Sequence, residues 1–166
     1  TATPAQDRFP QFSPDSARIA FILVAGPGAG VWMMQTFGGG ERKICDLAWT
    51  SPPTEQPLAW SPDGQFLVVA DESPQSKVAA LHSIHIATGA RMRLTHPPPG
   101  TFGDAQPAWL ADGGRIAFLR QAPSRIREIW ITPASGGTAN RITFDQRDIT
   151  GLASDPGGKR LLYLSD

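Results

Sequence analysis

Trp60-Ser61-Pro62-Asp63-Gly64, followed at once by the apolar run Phe66-Leu67-Val68-Val69, is the stretch that decides how this chain is read. Proline presets φ, aspartate bonds its own backbone two residues on, and glycine tolerates positive φ, so the pentapeptide is a turn that launches a strand. The string recurs. Phe12-Ser13-Pro14-Asp15-Ser16 precedes Arg18-Ile19-Ala20-Phe21, and Trp109-Leu110-Ala111-Asp112-Gly113 precedes Arg115-Ile116-Ala117-Phe118. A degraded copy, Ser154-Asp155-Pro156-Gly157-Gly158, precedes Arg160-Leu161-Leu162-Tyr163. The copies start at positions 12, 60, 109 and 154, so the spacings are 48, 49 and 45 residues. Asp15, Asp63 and Asp112, with Gly64 and Gly113, are assigned structural turn roles, since one carboxylate per repeat cannot form an acid/base pair.

A second marker runs in phase with the first. Arg93-Leu94-Thr95 and Arg141-Ile142-Thr143 lie 48 residues apart, and Lys43-Ile44-Cys45 is the weaker first copy. Ahead of each stands a glycine-bearing turn: Gly38-Gly39-Gly40, Thr88-Gly89 and Ser135-Gly136-Gly137. Ahead of those stand the apolar segments Val31 to Met34, Leu81 to Ile86 and Ile129 to Ile131. Each unit therefore reads as four short strands, and a period near 45 with four strands per unit predicts an all-β propeller. The runs Ile19 to Ala25, Phe66 to Ala70, Ile116 to Leu119 and Leu161 to Leu164 are apolar almost throughout. A half-buried sheet alternates; continuous runs demand cover on both faces, which stacked blades provide. The expected boundaries are blade 1 at 9–46, blade 2 at 57–95, blade 3 at 106–143 and half of a fourth blade at 149–166, within one domain. Ser73-Pro74 and the spacing of Val78, Leu81 and Ile84 compete as a helix start, but the in-phase turn after them assigns Ala79 to Ile86 to a strand.

Composition narrows the function classes. The 166 residues carry 15 Lys+Arg against 15 Asp+Glu, so the net charge is zero and no basic face is offered to a nucleic-acid backbone. No apolar run approaches the roughly 20 residues of a membrane helix. With 40% hydrophobic residues the chain is too apolar for disorder. The lone Cys45 excludes an internal disulfide and a multi-cysteine metal site, and reads as a small packed residue. The chain starts at Thr1 with no signal-peptide pattern, which reads as a processed or excised piece whose compartment depends on flanking domains.

The string Trp-Ser-Pro-Asp-Gly, then Ile-Ala-Phe, then Arg-Leu-Thr resembles the TolB-like, or WD40-like (PD40), β-propeller repeat family over nearly the whole chain. The stretch Arg141 to Ala153 resembles the propellers of large bacterial regulators, which follow a winged-helix (CadC-like) or Ser/Thr kinase domain. The resemblance implies a transcriptional-regulator context, or the gating propeller of a prolyl-oligopeptidase-like or tricorn-like serine peptidase, or a periplasmic TolB-like protein that binds envelope partners. Three and a half blades leave an open arc with an apolar blade face at each end, so self-association is expected.

Few residues carry chemistry. No Gly-x-Ser-x-Gly nucleophile elbow is present, and Gly26-Pro27-Gly28-Ala29-Gly30 lacks the ending of a phosphate loop, so it reads as a strand connection. His82 and His85 fall on opposite strand faces, and His96 precedes Pro97-Pro98-Pro99. Asp71-Glu72, Asp104, Asp145 and Asp148 read as residues of connections. No catalytic residue, cofactor or metal is assigned. Arginine, with twelve residues against three lysines, supplies the one site expectation. Arg120, Arg125 and Arg127 flank one strand connection and Arg147 lies in the next inter-blade connection, on a single propeller end, where they would grip a carboxylate-bearing protein or peptide partner. The sequence-level reading is a non-catalytic interaction or sensing module.

Overall fold

The computed structural model describes residues 5–25, 28–49, 55–72, 78–144, 147–155 and 160–166, and all the regular structure among them is β. The strands are β1 (Gln6–Phe12), β2 (Arg18–Ala25), β3 (Gly28–Gln35), β4 (Arg42–Leu47), β5 (Leu58–Trp60), β6 (Phe66–Glu72), β7 (Ala79–His85), β8 (Arg91–Arg93), β9 (Gly103–Trp109), β10 (Arg115–Gln121), β11 (Arg127–Pro133), β12 (Asn140–Arg141), β13 (Ile149–Ser154) and β14 (Leu161–Ser165). Each of β1–β4, β5–β8 and β9–β12 pairs antiparallel in chain order, and β13–β14 is a half-blade. The first strands lie side by side, β1 against β5, β5 against β9 and β9 against β13. They form the inner wall of an arc from which the blades fan outward. As blade edges they accept proline, hence Pro10 and Pro107 within β1 and β9.

Strand geometry explains the continuous apolar runs. Successive side chains of β6 point to opposite faces. Leu67 and Val69 join Ala20, Ile22, Val31 and Met33 in the core between blades 1 and 2. Val68 and Ala70 join Ile116 and Phe118 between blades 2 and 3. Ala117 and Leu119, the other face of β10, join Ile129 and Ile149 between blade 3 and the half-blade. Strands β6 and β10 thus each serve two cores.

The repeated residues make repeated bonds. Ser13 and Ser61 hydroxyls take the backbone N–H of Arg18 and Phe66, each at 2.9 Å, and donate to Asp15 and Asp63 at 2.5 and 2.6 Å. Those bonds, with backbone N–H donors, hold both carboxylates below their ordinary pKa. Asp112 accepts instead from Arg115 and Gly114. Ser16, Gly64 and Gly113 share the left-handed conformation at φ 57°, 67° and 64°. In the degraded copy Asp155 stands at the serine place and takes the Arg160 N–H at 3.0 Å. The second marker is also structural. Thr95 and Thr143 hydroxyls accept the N–H of Leu81 and Ile129, each at 2.9 Å, while Arg93 and Arg141 cap the carbonyls of those threonines.

Two expectations change, and a third set of residues goes untested. Gly28 to Gly30 belong to β3, not to a connection, because a Cβ at Gly30 would lie 2.9 Å from the Cys45 carbonyl and only glycine lets β3 and β4 meet there. Gly26, Pro27, Asp145 and the Ser73-Pro74 helix start lie outside the described residues. Asp71, Glu72 and Asp104 are strand residues of β6 and β9.

Candidate functional site

Second strands end, third strands begin and inter-blade segments arrive at one end of the arc. A cavity of about 250 Å³ opens there between blades 2 and 3, walled by Trp49, Gln56, Phe102, Asp104, Gln121 and Arg127 among others. Its side is pinched shut by a parallel bridge from Ala79 to Gly103. Gly103 sits at φ 105°, and a Cβ there would come 2.8 Å from the Ala79 backbone, so glycine alone permits the contact.

The charged residues around this cavity are bound to one another. Arg127 holds Asp148 at 2.6 Å and also pairs with Glu55, joining blade 3 to the segments entering the half-blade and blade 2. The Arg127 guanidinium hydrogen-bonded to Asp148 keeps that carboxyl below its ordinary pKa, and Asp148 in turn raises that of Arg127. Gln106 extends the clamp. Its amide donates to Glu55 at 2.9 Å, and its carbonyl accepts the Leu152 N–H at 3.0 Å. Gln106 reaches both because the backbone there is left-handed, φ 47°, at a β-bulge in β9. Phe9 repeats that conformation in β1, at φ 55°.

The four arginines of the expected gripping face separate into two kinds. Arg120 is 5% exposed and makes a two-bond pair, 2.6 and 2.8 Å, with fully buried Asp104 across the β9–β10 ladder. Its guanidinium lies 4.6 Å from the Trp130 ring centre. Sitting on the doubly covered strand β10, it faces inward and is spent on the fold. Arg127 is half-buried and committed to two carboxylates. Arg125 and Arg147 are exposed. Arg125, in a tight turn at φ 67°, lays its guanidinium 5.1 Å from the Phe102 ring. Sequence reasoning missed Glu55 and Gln106. The signal for the Arg120–Asp104 pair was present: a cation ending an apolar run requires a neighbouring-strand anion.

The remaining titratable groups sit elsewhere. His82 Nδ1 donates to the Ala80 carbonyl, 3.2 Å away, and burial with the nearby Arg91 charge pushes its pKa down to about 4. His85 bonds Thr88 at 3.0 Å. Cys45 packs against the core between blades 1 and 2, and burial raises its pKa. Among the described residues no three His, Cys, Asp or Glu side chains group as metal ligands.

No family model and no curated protein matches the sequence. Solved structures do match. TolB from Acinetobacter baumannii superposes with a TM-score of 0.77 at 16% identity, over 96% of this chain and 37% of that one. The putative TolB from Agrobacterium tumefaciens gives 0.67 at 18% identity, over 99% of this chain and 71% of that one. A puromycin hydrolase S511A mutant complexed with PGG gives 0.67 at 22% identity, over 94% of this chain and 24% of that one. The chain thus spans little more than a third of the first of these neighbours. Likeness at these identities speaks to fold, and with the blades described above it makes the chain a partial, open β-propeller of four-stranded antiparallel blades.

Proposed function

We propose that this chain is a non-catalytic protein-interaction or ligand-sensing propeller segment of a larger bacterial regulatory protein, and that its recognition surface is the end bearing Arg125, Arg147 and Phe102. One observation carries this reading. Arg120 is paired with Asp104, and Arg127 with both Asp148 and Glu55, which ties blade 3 to the segments entering the half-blade and blade 2, so these groups are held in place before anything binds. Two exposed guanidiniums at this end of the arc, Arg125 and Arg147, suit a carboxylate-bearing peptide. The expected grip is narrowed from four arginines to Arg125 and Arg147, because the other two are already paired.

Isothermal titration with acidic peptides tests it. Arg125→Ala with Arg147→Ala is expected to weaken binding about tenfold or more and leave the melting temperature unchanged. Unchanged affinity, or no binding by the native chain, removes the proposal. A second reading, the gating propeller of a serine peptidase, draws support from the likeness to puromycin hydrolase and to a prolyl endopeptidase. A Gly-x-Ser-x-Gly segment in adjoining sequence would select it, as a winged helix or kinase domain would select the first. An α/β domain ahead of the propeller would instead select a TolB-like envelope-binding role.

A further inference from the structure

The seam between blades 1 and 2 and the seam between blades 2 and 3 share one backbone frame but are filled differently. Antiparallel strands alternate in direction, so the turns from first to second and from third to fourth strands lie at the end of the arc away from Arg125 and Arg147. At that end of the first seam two arginines of blade 1 cross to blade 2. Arg18 donates to the Gly64 carbonyl at 3.2 Å and lays its guanidinium 5.2 Å from the Trp60 ring centre. Arg42 donates to the Ile86 carbonyl at 2.8 Å.

Register identifies the matching residues of the second seam. Phe66 takes the place of Arg18, since both backbone N–H groups bond a turn serine, Ser61 and Ser13, at 2.9 Å. Met92 takes the place of Arg42: Arg42 pairs with Met33 and Met33 with Ala20, as Met92 pairs with Ser83 and Ser83 with Val68. Trp109 and Gly113 match Trp60 and Gly64. Ala134 matches Ile86, because their N–H groups bond the Gly114 and Gln65 carbonyls at 2.8 and 2.9 Å. Both crossing cations are thus replaced by apolar side chains. The arginines of blade 2 do not stand in for them, since Arg91 bonds Asp71 and Arg93 bonds the Thr95 carbonyl.

The result is a cleft of about 620 Å³ between two complete blades, lined by Phe66 and Met92 on one side and by Trp109, Gly113 and Ala134 on the other. Met92 is 45% exposed. Asp63 and Asp112 also line the cleft. The Ser61 hydroxyl and the Arg115 guanidinium hold their carboxyls below the ordinary pKa, so both are anionic. Asp112 pairs with Arg115, whereas Asp63 has no cation partner among the described residues. An aromatic wall, a carbonyl left without its arginine and an unpaired carboxylate are the groups that hold a guanidinium. We infer that the cleft between blades 2 and 3 binds an arginine side chain of a partner protein, in the place that Arg18 fills in the preceding seam. That side chain lies along Trp109, donates to the Gly113 carbonyl and is drawn by Asp63. The site takes the opposite charge from the Arg125 and Arg147 end and does not depend on it.

Nuclear magnetic resonance titration of the 166-residue chain with N-acetyl-arginine amide, and with its uncharged citrulline counterpart, is the test. The expected result is saturable binding with a Kd on the order of 1 mM that shifts the indole signal of Trp109, identified by its loss in Trp109→Phe. Citrulline keeps the shape and loses the charge, so it should bind about tenfold more weakly or less well still. Met92→Arg supplies the cleft with a cation of its own and is expected to weaken arginine binding about tenfold. Adding Phe66→Arg rebuilds the filling of the first seam and should abolish it. Met92 is an exposed side chain, so the single variant decides the matter even where the double variant fails to fold. Absence of saturable binding, equal binding of citrulline, or native affinity in Met92→Arg overturns the inference.

Discussion

Blades 2 and 3 occupy the same position with opposite chemistry. Asp71, at the end of β6, stands 49 residues before Arg120, at the end of β10, and His82 stands 48 before Trp130. In blade 2 the buried anion accepts the Ala48 N–H at 2.9 Å, tying it to the segment that leaves blade 1, and accepts Arg91 of its own blade at 2.6 Å, a cation that is itself partly exposed. In blade 3 the buried cation pairs with an equally buried anion of its own blade and stacks on Trp130. The backbone frame is common to both; the polar filling is not. A sheet position covered on both sides accepts either sign of charge, provided that the partner comes with it.

The largest effect should come from breaking the fully buried pair. Asp104→Ala strands the Arg120 guanidinium and is expected to cost about 3–5 kcal/mol in chemical denaturation, whereas Arg120→Met with Asp104→Leu should cost far less. An equal cost for the single and double variants would show that the pair is not the reason. Asp71→Asn should cost less, about 2 kcal/mol, because Arg91 can turn to water. A loss as large as that of Asp104→Ala would erase the contrast between the blades.

Acid separates the blades in a second way. His82 has a folded pKa of about 4, below the 6.5 of a free imidazole, so its contribution is complete above pH 6.5 and is lost as pH falls toward 4. The loss should be on the order of 1 kcal/mol, since the ring is partly solvated, and His82→Gln should flatten the stability profile across that window. Asp148 works in the same direction at lower pH: its depressed pKa means stability present above the unfolded value near 4 and lost as pH falls through the folded one. A profile unchanged by His82→Gln would refute the assignment.

The smallest effect concerns two in-phase tryptophans. Trp60 donates its indole N–H to the Gln11 carbonyl at 3.0 Å, while among the described residues the indole N–H of Trp109 finds no acceptor. Trp60→Phe should therefore cost about 1 kcal/mol more than Trp109→Phe, by thermal or denaturant unfolding.

The repeat strings made the architecture legible. Pro-Asp-Gly turns, unbroken apolar runs and Arg-Leu-Thr all act within a few residues of chain or one strand ladder, and local rules cover those distances. The site was less legible. Arg120 and Arg127 read as surface cations because their partners Asp104, Asp148 and Glu55 lie 16, 21 and 72 residues away. Gln106 gave no signal, since its role depends on a left-handed bulge that composition does not encode.

What the amino-acid order determined by itself was the unit: turn, doubly covered strand, turn, outer strand, repeated until the Arg-Ile-Thr of blade 3. Tertiary structure alone decided which charges pair and which arginines stay exposed. Turn preference and strand period are properties of neighbouring residues. Charge pairing depends on how blades stack, and stacking joins residues that the chain keeps far apart.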